Sequence, residues 1–389
     1  MSDGGDIFGD TSLENRGIRL DCAIVAAADI AQPIRLLTRE LAAGNITSRQ
    51  LVEDGLARIG DESGEGGRAF LSVNAGRARA EADAYDSLRA AGGWTPPYAG
   101  VPIAIKDLAD IEGEVTTAGS VVLADNTPAT KDAMAVARLR AAGFVVIGRT
   151  NMTEFAFSGL GLNPHYGTPS SPWDRSTGRI PGGSSSGSAV AVADGMASVG
   201  LGTDTGGSCR IPAAFCNIVG YKPTARRVPL DGIVPLAPSL DSVGPMANTV
   251  DCVGITDAVL AGQPVDEAVG HHPPATGPRP LRLGLLTTFV LDSLDPVVAA
   301  RFEQALQALS AAGVSIVETS FEELDELAHI NRDGGMAPAE ALAWHQSLIA
   351  ARGPDYDQRV RHRIEGGTRA SATYYLEVLG HRRRLIGLS

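Results

Sequence analysis

Apolar positions follow two rhythms along this chain. From Ile34 to Gly60, "IRLLTRELAAGNITSRQLVEDGLARIG" repeats them at helical spacing in two runs. Gly44 closes the first run, and Thr47 with Gln50 forms the capping-box pattern that opens the second. "AFLSVN" (69–74) predicts a short strand, and "RARAEADAYDSLRAAGG" after it predicts a surface helix ending at Gly92 and Gly93. A proline-rich turn, "GWTPPYAG", then leads into "VPIAIKD". There Val101, Ile103 and Ile105 alternate with Pro102, Ala104 and Lys106. Because the intervening positions are small or apolar, this strand has no polar face and belongs inside a sheet, bringing Lys106 to the edge of the core.

Two later stretches share one grammar. "DAMAVARLRAAGFVVIG" (132–148) and "PVVAARFEQALQALSAAGVSIVE" (296–318) each give an amphipathic helix, a closing glycine (Gly143, Gly313) and a β-branched strand. Helix followed by buried strand, repeated, predicts an α/β sheet with crossover helices. Residues 1 to about 30 are polar, glycine-rich and aperiodic, and read as a loosely ordered extension ahead of one domain, 31–389. "HHPPATGPRP" (His271–Pro280) reads as an exposed connection whose two histidines are solvated rather than metal-bound.

Charge narrows the possible partners. The 389 residues carry a net charge of −12, which disfavours direct nucleic-acid binding and anionic membranes. No apolar run approaches the ~18 residues that cross a bilayer. The chain opens on Asp3, Asp6 and Asp10 rather than a basic export segment, so a cytoplasmic location is expected. Cys22, Cys209, Cys216 and Cys252 show neither a CxxC pair nor zinc spacing, and are expected to be free thiols. No metal or organic cofactor is expected.

The chemistry concentrates in "RIPGGSSSGSAVAVADGMASVGLGTDTGGSCRIP", from Arg179 to Pro212. In the second half, Thr205-Gly206-Gly207-Ser208 sits on the turn leaving a predicted strand, "ASVGLG". Adjacent glycines let several N–H groups converge beside Ser208, which suits the oxyanion of an acyl transfer; taken alone, a plain glycine turn with a serine cap is the commoner reading. In the first half, Ser184, Ser185 and Ser186 stand at the entrance of an Ala/Val helix, where serine also serves as a cap. Neither a phosphate-binding GxxxxGK[ST] loop nor a GxSxG elbow is present, and neither knot contains histidine. A base for Ser208 must come from elsewhere. Lys106 could serve only if burial lowered its pKa; a solvated lysine is neutral in about one molecule in 2,500 at pH 7. Pairing with Asp107 is the alternative use of that lysine.

Together these segments resemble the amidase signature family of serine hydrolases, as do "GVPIAIKDL", "GRTNMTEFAFSG", "RIPAAFCNIVGYKPT" and "LDSVGPMANTV". The resemblance runs from about residue 34 to the C-terminus. It implies an α/β/α sandwich with a large twisted mixed sheet surrounded by helices. It further implies a Ser–cis-Ser–Lys triad, with Ser208 as nucleophile, Ser184 as the bridging serine after a cis peptide, and Lys106 as the ultimate base. Ser185 matches a serine that helps orient the lysine. The N–H groups of Thr205, Gly206, Gly207 and Ser208 match the oxyanion hole, and Asp204 and Arg210 match positions that brace the loop.

The expected activity is hydrolysis of a small carboxamide through an acyl-enzyme, with a homodimer as a possible assembly. The alternatives are the glutaminase subunit of a tRNA-dependent amidotransferase, or an inactive homologue that keeps the signature as scaffold. Two departures stand out. Ser186 replaces a glycine common in the family, which a negative φ would accommodate. Family members usually continue past "ASATYYLEVLGHRRRLIGLS", so the last part of the fold is expected to be missing. Met152, Phe155 and Phe157 are candidates for pocket wall, with the core as their commoner destination.

Overall fold

The computed structural model describes residues 29–264 and 281–389. Nearly all of the expected N-terminal extension, and the connection His271–Pro280, lie outside the described residues. Six strands form one mixed sheet: β1 (Phe70–Val73), β2 (Pro102–Lys106), β3 (Val145–Thr150), β4 (Val199–Thr203), β5 (Val219–Gly220) and β6 (Val243–Ala247), in the order β1-β3-β2-β4-β6-β5. β2 runs parallel to both β3 and β4, whereas β1, β6 and β5 pair antiparallel with β3, β4 and β6 respectively.

The alternation read in "VPIAIK" divides two cores. Ile103 and Ile105 face one side with Leu139, Val199 and Leu201. Ala104 faces the other with Ile147, Val190, Ala191 and Met246. Small side chains on this second face let the helix Ser186–Ala193 lie close against the sheet, where seven of its eight residues are buried. Each fully buried valine in such a helix stabilises the fold by about 1.5–3 kcal/mol. Burial of the helix therefore fixes the serines at its entrance. The capping box of Ser48–Ile59 is formed as expected, with Gln50 N–H donating to Thr47 Oγ1 at 3.0 Å and Thr47 N–H to Gln50 Oε1 at 2.8 Å.

The second helix-strand repeat has a different fate from the first. β7 (Arg282–Leu286) and β8 (Ser315–Thr319) pair in parallel as a separate two-stranded sheet. Leu283 and Val317 remain 37% and 41% exposed, and the helix Pro296–Ala311 buries none of its residues. Its periodicity announces a helix and a strand, but not which sheet the strand joins. No helix among the described residues is long and apolar enough to cross a membrane.

Candidate active site

Three chain segments meet where the central strands end. β2 delivers Lys106 as its last residue, and β4, in register with Ile105 opposite Leu201, delivers Thr203 as its last. The loop ahead of Ser186–Ala193 supplies Ser184 and Ser185, and the Gly183–Ser184 peptide is cis. Ser188, within that helix's first turn, ties it to the sheet by donating to the Leu201 carbonyl at 3.0 Å.

Lys106 is completely buried, and its Nζ donates to Ser184 Oγ and to Thr203 Oγ1, both at 2.8 Å. It forms no ion pair among the described residues. Asp107, the alternative partner, turns instead to Arg149 Nε at 2.6 Å, to the Thr117 hydroxyl and to the Gly119 N–H at 3.0 Å. Burial of the ammonium pushes the lysine down to about 8, against weaker upward pulls from Cys209, Asp204 and Asp241. At pH 7 that leaves about one molecule in ten neutral, roughly two hundred times the solvated fraction. Hydrogen-bonded to a serine hydroxyl, a lysine so poised can take or return a proton.

Ser208 is 7% exposed, and its carbonyl accepts the Ser185 N–H at 3.4 Å, which brings the two serine knots into contact. Asp204 organises the turn that carries Ser208. Its Oδ1 accepts the Gly207 N–H at 2.7 Å and its Oδ2 the Cys209 N–H at 3.1 Å, while Arg210 grips both oxygens at 2.9 Å. Burial alone would raise this carboxyl, but Arg210 and the two N–H groups outweigh it and hold the pKa below the ordinary value. The Gly207 N–H is thus already engaged. Those of Thr205, Gly206 and Ser208 make no hydrogen bond among the described residues.

Gly207 adopts φ +127°, a conformation strained for any L side chain, and a Cβ there would meet Ile211 Cδ1 at 2.6 Å. Gly207→Ala is accordingly expected to destabilise the protein by about 1–3 kcal/mol. A fall in melting temperature, read by thermal unfolding, checks this.

The structure refines two expectations from the sequence. Ser185 bears on Lys106 through Thr203 rather than by direct contact. Its hydroxyl donates to the Thr203 carbonyl at 3.3 Å and accepts the Thr203 N–H at 3.4 Å, so it positions Thr203, which holds the lysine. Nor does Ser185 cap the helix through its side chain. Met152 and Phe155 are buried at 0% and 2%, where Phe155 packs on Trp344, His345 and Tyr356, as core residues do. Phe157 is partly buried. Ser186 begins the helix without positive φ, so a side chain is accommodated there.

Sequence reasoning missed Thr203 and gave Asp241 no role. Asp241 Oδ1 accepts the Thr205 hydroxyl at 2.5 Å, and its carboxylate also receives the N–H groups of Leu236 and Ala237, pinning the loop before β6 to the serine turn. Cys209, beside Ser208, is no rival nucleophile, because burial pushes its thiol up to about 12. Among the described residues no group of three or more His, Cys, Asp or Glu side chains is placed to hold a metal.

The mixed α/β sheet carries a buried lysine on a serine hydroxyl beside a glycine-serine turn, the arrangement expected of amidase signature enzymes. The sequence agrees, since the profile of the family described as Amidase matches residues 50–386. The chain is 40% identical over 359 residues to a glutamyl-tRNA(Gln) amidotransferase subunit of Roseiflexus sp. (strain RS-1), covering 85% of this chain and 72% of that protein. It is 41% identical over 282 residues to a 1-carboxybiuret hydrolase subunit of Pseudomonas sp. (strain ADP), covering 70% of this chain and 61% of that protein. The solved structure of native peptide amidase from Stenotrophomonas maltophilia superposes with a TM-score of 0.70 at 31% identity, covering 92% of this chain and 80% of that one. The chain belongs to the amidase family.

Proposed function

We propose that this protein hydrolyses a carboxamide through an acyl-enzyme on Ser208, with Ser184 and Lys106 relaying the proton. The observation that carries this reading is the fully buried Lys106, lowered to about 8 and 2.8 Å from Ser184 Oγ. Neutral Lys106 takes the Ser184 proton as Ser184 takes that of Ser208, and Ser208 Oγ bonds to the amide carbon. The oxyanion gathers the N–H groups of Thr205, Gly206 and Ser208. When the C–N bond breaks, the proton returns through Ser184 to the departing amine. Water then cleaves the ester by the same relay. A small amide substrate and a cytoplasmic location go with this reading; the buried free thiols Cys209, Cys216 and Cys252 are in keeping with a reducing compartment.

A fluorophosphonate probe tests the proposal. An adduct mapped to Ser208 by mass spectrometry, and lost in Lys106→Ala, is the expected result. No adduct on the folded protein, or one indifferent to Lys106, would sink it and favour the inactive-scaffold reading. A second reading, the glutaminase subunit of an amidotransferase, draws on the similarity to the Roseiflexus protein. Ammonia release from glutamine, together with co-purifying partner subunits, would distinguish it from a free-standing amidase.

Thr203 gives a separate prediction. Its hydroxyl accepts a hydrogen bond from the ammonium and so favours the charged form. Removing it in Thr203→Val is expected to lower the Lys106 pKa below about 8 and shift the rise of kcat/KM with pH toward acid. A misaligned lysine should also reduce kcat by about 10–100-fold. Thr203→Ser should restore both, and pH–rate profiles of the two variants provide the check.

A further inference from the structure

A cleft of about 880 Å³ opens between the helix Ala372–Leu388 and the segment 225–241. The helix contributes Leu379, Arg382 and Arg383, which at spacings of three and four share one face. The facing segment contributes Arg226, with Pro229 and Leu230 beside it. None of the lining residues is Lys106, Ser184 or Ser208.

All three arginines are open to solvent: Arg226 and Arg383 are exposed and Arg382 is half-buried. None forms an ion pair among the described residues, whereas their chain neighbours Arg227 and Arg384 pair with Asp257 and Glu326. The single lining carboxylate, Asp241, is 7% exposed and turned into the fold. There it accepts the Thr205 hydroxyl at 2.5 Å and the N–H groups of Leu236 and Ala237. Three like charges gathered in one concavity repel one another and draw in anions. Arg226 adds an independent observation, because it holds φ +69°, a left-handed conformation that suits glycine and strains an arginine. Its side chain makes no hydrogen bond among the described residues, so the strained residue serves no visible structural contact and points to a binding role. Size and lining set the ligand. A cavity of this volume suits an organic molecule rather than a bare ion, and Pro229, Leu230 and Leu379 offer it carbon surface. Guanidinium forks match carboxylate oxygens in pairs, and three of them on two walls suit several carboxylates on one skeleton better than one compact phosphate.

We infer that this cleft binds an organic anion bearing two or more carboxylate groups, held by Arg226, Arg382 and Arg383, with its carbon skeleton against Pro229, Leu230 and Leu379. The inference does not depend on the amidase reading. Through Asp241, which also holds Thr205, the site adjoins the turn that carries Ser208.

The test is isothermal titration calorimetry of the purified chain with propane-1,2,3-tricarboxylate. Ionic strength is held constant with sodium chloride, the corresponding triamide serves as the uncharged control, and inorganic phosphate as the compact anion. Saturable 1:1 binding of the tricarboxylate is expected, tighter than that of phosphate by about tenfold or more. Arg382→Gln should weaken it by about tenfold or more. Arg384→Gln removes the same charge from a paired neighbour outside the cleft, and should leave binding within about twofold. Arg226→Gly should also weaken binding, while the melting temperature without ligand holds, since glycine suits φ +69°. Absence of saturable binding up to about 10 mM overturns the inference. A loss in Arg384→Gln equal to that in Arg382→Gln overturns it as well, because the attraction would then be general rather than seated in the cleft. Phosphate binding as tight as that of the tricarboxylate overturns the ligand class.

Discussion

Lys106→Met is expected to lower amide hydrolysis by about 10³–10⁴-fold while leaving the protein folded and about as stable as the parent. Methionine fills nearly the same volume but cannot take a proton from Ser184. The stability half of the expectation follows from the displaced pKa. In the folded protein the lysine titrates near 8 rather than at its ordinary value of 10.5, so the fold binds fewer protons than the unfolded chain between those two pH values. Stability therefore rises as pH climbs through that window, and below it the burden of a buried ammonium is borne in full, on the order of 3 kcal/mol. Methionine relieves this burden and forfeits two hydrogen bonds, to Ser184 and Thr203, worth about 1.5–3 kcal/mol each when one partner is charged. Those terms oppose one another, so no large loss of stability is expected. In the parent, kcat/KM should rise with pH and level off above about 8 as Lys106 sheds its proton. A pH–rate profile and thermal unfolding of both proteins, side by side, check the pair of claims. A variant that is inactive because it is unfolded would contradict the second.

That lysine is legible in the sequence because its strand has no polar face. A basic residue ending such a strand is either buried or at the boundary of the core, and both places disturb its pKa. The two glycine-serine knots are legible for a related reason, since short polar residues on tight backbone interrupt an otherwise apolar stretch. Thr203 leaves no comparable trace. A threonine closing a strand satisfies β-propensity, and nothing local distinguishes one that accepts a hydrogen bond from an ammonium 97 residues away in sequence. The same limit hides the division of labour within the glycine-serine turn. Four consecutive N–H groups look alike in sequence, but the carboxylate of Asp204 claims the one on Gly207. Ser185 reads as a serine that helps orient the lysine, but that it does so through the backbone of Thr203 is not visible in sequence. Periodicity likewise establishes the helix Pro296–Ala311 and its strand without deciding that β8 pairs with β7 apart from the main sheet. Sequence patterning resolves what a residue must bury, whereas choices among hydrogen-bond partners are made by tertiary contacts.

Ser208→Ala is expected to cost still more, about 10⁴–10⁶-fold in kcat, because no acyl-enzyme can form without its oxygen. Combining it with Ser184→Ala and Lys106→Met should cost hardly more than Ser208→Ala alone. The reason lies in the proposed relay. There Lys106, hydrogen-bonded to Ser184, serves Ser208 only through that serine, so each member loses its use once another is gone. Such groups are strongly non-additive, and the triple variant should retain whatever rate the N–H groups of Thr205, Gly206 and residue 208 supply by holding the oxyanion against attack by water. Residual rates of the three single variants and the triple, measured on one amide at a pH above the lysine's value of about 8, decide the matter. If the losses multiply, the three side chains act independently and the relay from Ser208 through Ser184 to Lys106 is wrong. If Ser184→Ala falls far less than Lys106→Met, the lysine reaches Ser208 by another path, and its 2.8 Å bond to Ser184 positions rather than relays.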